Sequence, residues 1–149
     1  MTILSKLSTL GEGLVVSNIV FPPECPNKDW KMYKGSCYAY AKDSYKTWAD
    51  AEAYCKTEPG AHLASIHNAE ELQFVQSNFP RDLWFGASDA RKEGTWVWSD
   101  GSSWDYSAWS PGQPDNHVGK QDCLLGNWHD LKWDDDSCEQ KRLFLCKLG

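Results

Sequence analysis

The sequence predicts an α+β domain, with two helices early and a loop-decorated antiparallel sheet late. Three observations lead there. Helical spacing of apolar residues is confined to two stretches before Pro80. Beyond Pro80 only short apolar runs remain, separated by Gly, Ser, Pro and Asp. Six cysteines, at positions 25, 37, 55, 123, 138 and 146, are spread along the chain with no C-x-x-C pair.

The elements follow in order. Trp30 to Tyr40 alternates bulky and polar side chains around Lys34-Gly35-Ser36, the pattern of a hairpin. Thr47 is placed to cap a helix running through Cys55, with Trp48, Ala51 and Cys55 on one face. Ala61 to Ile66 reads as a short buried strand. Asn68 with Glu71 three residues on has the form of a capping box, and Leu72 and Val75 follow on the inner face of a second helix. Leu83 to Ala87, Thr95 to Trp98, Cys123 to Leu125 and Arg142 to Cys146 read as strands. Between them, residues 100–120 are too long for a turn and too irregular for an element. Long irregular loops in small domains usually carry function.

At 149 residues the chain suffices for one domain with a real core. Nine Trp, six Tyr and five Phe supply large rigid packing units. Trp96, Trp98, Trp104, Trp109 and Trp133 are assigned to that core. A net charge of −6 argues against a nucleic-acid surface. No apolar run approaches the length that spans a membrane. An even set of scattered cysteines implies three structural disulfides made in an oxidising compartment, hence a secreted, extracellular protein. Spacing alone does not choose their pairing. Residues 1–24 read as an arm outside the domain (25–149). Their apolar patches are broken by Lys6, Gly11, Glu12 and Gly13, which is not the continuous stretch of a signal peptide. The expectation is that any signal has been removed and that the arm is loose, or forms a contact between copies.

Acidic and amide side chains crowd one region: Gln113, Asp115, Asn116, Gln121, Asp122, Asp130, Asp134, Asp135 and Asp136. Calcium takes about six to eight oxygen ligands, and carboxylates and amides on pinned loops suit it. Composition alone leaves a solvated acidic loop equally open. An EF-hand is excluded, since its spaced acidic loop is missing. His129 with Asp130 is accompanied by no nucleophile and no paired acid, so the chain does not read as an enzyme. His62 and His67 flank the predicted strand and read as structural.

Gln113-Pro114-Asp115, Trp133-Asp134-Asp135, Trp84-Phe85-Gly86-Ala87 and the six cysteines in register resemble the C-type lectin domain, over about Cys25 to Lys147. The likeness extends to soluble fish and mollusc lectins of the long form. It implies the pairs Cys25–Cys37, Cys55–Cys146 and Cys123–Cys138, and a cis bond before Pro114. It also implies calcium (Ca2+) held by Gln113, Asp115, Gln121, Asp134 and Asp135, and a second ion at Asp89, Glu93, Asn116 and Asp122. Two positions depart from the family pattern: Gln121 stands where Glu is usual, and Asp134 where Asn is usual. One carboxylate is lost and one gained.

The resemblance further implies glycans or glycoproteins as partners, bound through vicinal hydroxyls on the ion. Gln-Pro-Asp is similar to the galactose (or N-acetylgalactosamine) order of acceptor and donor, and Glu-Pro-Asn is the mannose order. The coupled exchange at Gln121 and Asp134 leaves a mannose-type or broad specificity as the alternative. His117 occupies the position where galactose-type sites carry a stacking Trp, and Trp128 is a further candidate for that role. Glu24-Cys25-Pro26 and Trp30-Lys31-Met32 also resemble fish type II antifreeze proteins, which usually carry more than six cysteines. Gly86-Ala87-Ser88-Asp89 and Ser110-Pro111-Gly112-Gln113 resemble shell-matrix lectins, so ice or mineral binding is a second alternative.

Overall fold

The computed structural model describes residues 24–115 and 120–149. The predicted arm therefore lies outside the described residues except for its last position, and so do Asn116 and His117.

Local chemistry sets the first half. β1 (Lys31–Tyr33) and β2 (Ser36–Tyr40) form the expected hairpin, turning at Lys34 and Gly35 with φ of 46° and 86°. Both angles lie in the left-handed region that glycine occupies without strain. Helix α1 (Trp48–Cys55) is capped by Thr47, whose hydroxyl accepts from Asp50 N–H at 3.2 Å. Strand β3 (Ala61–Leu63) is shorter than expected, although Ala64 to Ile66 stay buried. Helix α2 (Ala69–Asn78) is capped by Asn68, which accepts from Glu71 N–H at 2.8 Å.

The capping box is not closed as expected. Glu71 reaches past the cap to His67 N–H at 2.8 Å. Its other oxygen accepts from Tyr38 O–H and from Lys147 Nζ, each at 2.6 Å. Tyr38 and Glu71 are buried and Lys147 nearly so, and the carboxylate ties helix, hairpin and last strand together. Burial, followed by the Glu71 contact, drives the Tyr38 phenol far above its usual range.

The second half is the sheet: β4 (Leu83–Ser88), β5 (Val97–Trp98), β6 (Cys123–Gly126), β7 (Asp134–Asp136) and β8 (Leu143–Leu148). The strand order is β1-β2-β8-β4-β6-β7, with β3 on β8 and β5 on β4. It corrects the all-antiparallel expectation, because β4 and β8 run parallel. A parallel neighbour needs a long connection, and the intervening loop region supplies it. Strand β7 was not foreseen. Three consecutive Asp are poor strand formers, and this strand exists because β6 pairs with it.

Two apolar clusters fill the interior. One holds Leu72, Val75, Phe85, Leu124 and Leu145 with Trp96, Trp98 and Trp133, and Trp104 and Trp109 pack against its edge. The other surrounds Trp84, Phe144 and the buried Cys55, Cys123 and Cys146. Position 86 in β4 needs glycine because a Cβ there would lie 2.5 Å from the Leu63 carbonyl oxygen. Disulfides join Cys25–Cys37, Cys55–Cys146 and Cys123–Cys138.

Glu71→Ala would leave the Lys147 ammonium buried without its counter-charge. It should cost about 3 kcal/mol in urea unfolding, as removal of one partner from a buried pair does. A loss below about 1 kcal/mol, the scale of an exposed pair, would show the contact to be peripheral.

Candidate functional site

Two stretches distant in sequence are zipped together at the edge of the sheet. Ser110 N–H donates to Trp133 O at 2.8 Å, and Trp133 N–H donates to Ala108 O at 3.0 Å. Trp133 is fully buried among Phe85, Trp98, Trp104, Tyr106 and Trp109. This bridge delivers the segment after Ser110 to the start of β7. Gln113 N–H then donates back to Ser110 O at 2.9 Å, and the Gln113–Pro114 bond is cis.

There the carboxylates of Asp115, Asp134 and Asp135 converge, with one oxygen of each within 4.8 Å of the others. Asp115 N–H donates to Asp135 Oδ1 and to Gln113 Oε1, both at 3.1 Å. Gln113 Nε2 approaches Asp115 Oδ2 at 3.5 Å. Asp135 is fully buried, Asp134 half-buried and Asp115 exposed, so the cluster opens to solvent on one side. The Asp134 carboxyl is pushed up to about 7, first by burial and then by the charge of Asp135. Its Oδ1 is buried with no hydrogen-bond partner among the described residues. Convergent hard oxygens, one of them unsatisfied, form a donor set that suits a calcium ion.

A second cluster joins Asp89, Glu93 and Asp122 across the start of the β4–β5 connection and the entry to β6. Gly94 N–H donates to Asp89 Oδ2 at 2.8 Å, and Asp89 N–H donates to Asp122 O at 3.0 Å. Burial raises both aspartates, with Glu93 adding to the shift at Asp89 and Asp89 to that at Asp122. Asp89 Oδ1 and Asp122 Oδ1 are likewise buried without a partner among the described residues.

Other residues marked in the sequence fall elsewhere. Gln121 is half-buried just before β6. Trp128 is half-buried and packs on the second apolar cluster. Asp130 sits exposed in a single 3-10 turn at φ 57°, and Asp136 is engaged by Arg142. His62 and His67 pair with Glu52 and Asp105, each at 2.7 Å. Sequence reasoning missed Arg142 and the Ala108–Ser110 bridge, for which no local pattern exists.

The family model described as the lectin C-type domain matches residues 44–148. The chain belongs to the C-type lectin family. The galactose-specific lectin nattectin of Thalassophryne nattereri is 41% identical, covering 82% of this chain and 79% of that protein. A C-type lectin mannose-binding isoform of Notechis scutatus scutatus is also 41% identical, covering 83% and 82%. Among solved structures, a Ca2+-dependent type II antifreeze protein in its Ca2+-free form superposes with a TM-score of 0.76 at 35% identity, covering 84% of this C-type lectin chain and all of that one. The C-type lectin relatives are not enzymes, and neither is this chain.

The carboxylate cluster yields a prediction in the absence of metal. A carboxyl whose folded value is raised costs the fold stability as pH climbs past the ordinary carboxylate range, and the full penalty is reached above the raised value. Asp134→Asn removes the charge, so in chelator at pH 8 it should melt a few degrees above the wild type. A lower melting temperature would show that Asp134 is not strained by its neighbours.

Proposed function

We propose that the chain is a calcium-dependent carbohydrate-binding module whose sugar site is built by Gln113, Asp115, Gln121, Asp134 and Asp135. The observation that carries this reading is the convergence of three carboxylates with the unsatisfied Asp134 Oδ1. A bound calcium would supply open coordination positions for two vicinal hydroxyls of a sugar. The residues do the discriminating. Carboxylates accept hydrogen bonds from those hydroxyls and amides donate to them, so the order of Gln113, Asp115, Gln121 and Asp134 reads stereochemistry. Asp89, Glu93 and Asp122, with Asn116, form the proposed second calcium site, which braces the loop. The binding unit is residues 25–149, secreted through an oxidising compartment as its three disulfides favour.

Galactose-type preference is the first assignment, supported by Gln113-Pro114-Asp115 and by the similarity to nattectin. His117 and Trp128 are proposed to flank the sugar. Mannose acceptance is the second reading, favoured by the exchange at Gln121 and Asp134 and by the equally similar mannose-binding relative. The likeness to the antifreeze structure supports ice binding as an alternative use of the same loop, which thermal hysteresis would reveal.

Calcium at about a hundredfold excess over its dissociation constant should stabilise the fold by about 2.7 kcal/mol. Chelation, or Asp135→Ala, should abolish glycan binding on an array. Equal binding in chelator would sink the mechanism.

Gln113→Glu with Asp115→Asn should move inhibition from galactose to mannose if the tripeptide decides. If the wild type already accepts mannose and the double variant loses it, the pair Gln121 and Asp134 governs instead. Competition by the two free sugars measures both.

A further inference from the structure

Asp134, Asp135 and Asp136 make up the whole of β7, yet only the first two join the cluster with Asp115. Asp136 is engaged elsewhere. Its Oδ2 accepts from Arg142 Nε at 2.9 Å and from the Arg142 terminal nitrogen at 2.6 Å, and its Oδ1 accepts from Ser137 N–H at 2.8 Å. The pair is largely shielded, with side-chain exposures of 13% for Asp136 and 33% for Arg142.

The arginine is itself fixed. Its N–H donates to Lys46 O at 2.9 Å, and it accepts from Lys46 N–H at 2.9 Å. Lys46 O also receives the indole N–H of the buried Trp84 at 3.0 Å, and Trp48 N–H donates to Cys138 O at 3.0 Å. The guanidinium thus reaches from the domain body to the far end of the strand that carries the cluster.

We infer that Arg142 is a positioning residue for Asp134 and Asp135: its two N–H donors, converging on the one oxygen Oδ2 of Asp136, fix the end of β7 and engage the third carboxylate away from the cluster. This rests on the reading that Asp134 and Asp135 hold calcium. Groups behind metal ligands set the orientation of those ligands, and two donors of one rigid planar guanidinium constrain direction as a single ammonium contact does not.

The sign of the effect separates positioning from simple charge. As a nearby positive charge alone, Arg142 would repel calcium, and its removal would tighten binding. As a positioning residue, its removal weakens binding even though a repelling charge is lost. Arg142→Lys keeps the charge and loses the rigid pair of donors, so any change it causes is geometric.

Calorimetric calcium titration of the full chain, held well below each variant's melting temperature, decides the matter. Arg142→Lys should weaken calcium affinity on the order of tenfold, and Arg142→Gln by at least as much. Hydrogen exchange at the β7 amides should rise in calcium-free Arg142→Lys. Unchanged affinity in the folded Lys variant, or tighter binding in the Gln variant, would overturn the inference. If Arg142→Gln does not fold, the Lys variant decides alone. A wild type that binds no calcium overturns the underlying site assignment, whereas a wild type that binds beside variants of equal affinity overturns only the role of Arg142.

Discussion

Ala108 and Ser110 exchange two backbone hydrogen bonds with Trp133, and the ring of Trp133 is sunk among five other aromatic side chains. Everything at the site follows from that junction. The loop that begins near Asp100 would otherwise leave the body without register, and Gln113 and Asp115 would not meet β7. Buried aromatic area supplies the energy and backbone pairing supplies the alignment. This division lets an otherwise irregular loop present side chains as reproducibly as a strand does. The Cys123–Cys138 disulfide closes the same region from its other side, tying the start of β6 to the residues just beyond β7.

The junction forces like charges together. Asp135 is fully buried and Asp134 half-buried beside it, and burial first, then the neighbouring charge of Asp135, raises the Asp134 carboxyl. A protein built only for stability would have amides there. The arrangement suits a bound cation, since carboxylates that repel one another would all attract an ion held between them. Asp136 shows the other solution to the same problem, a charge neutralised within the chain by Arg142. Three adjacent aspartates therefore hold two different environments.

The first half of the fold was legible because its signals are local. Thr47 and Asn68 announce helix starts, and Lys34-Gly35 announces a turn, each within a few residues of the structure it specifies. Long-range pairing carries no such mark. The parallel contact of β4 with β8 and the strand state of Asp134–Asp136 depend on neighbours supplied from elsewhere in the chain. Glu71 illustrates the boundary: its position three residues after Asn68 was readable, but its bonds to Tyr38 and Lys147 were not. At the site, acidic composition alone did not separate a metal centre from a solvated loop. Family resemblance singled out Asp115, Asp134 and Asp135, which the structure brings together, whereas Asp130 from the same acidic crowd lies exposed in its own turn.

The central claim is that a sugar is bound on a cation held by Asp115, Asp134 and Asp135. Luminescence lifetimes of terbium, used in place of calcium and excited through the nearby tryptophans, report how many waters the bound ion keeps. Addition of a sugar that the protein binds should lower that number, because hydroxyls replace water on the ion. A sugar that binds while the count of coordinated waters stays constant would contradict the account.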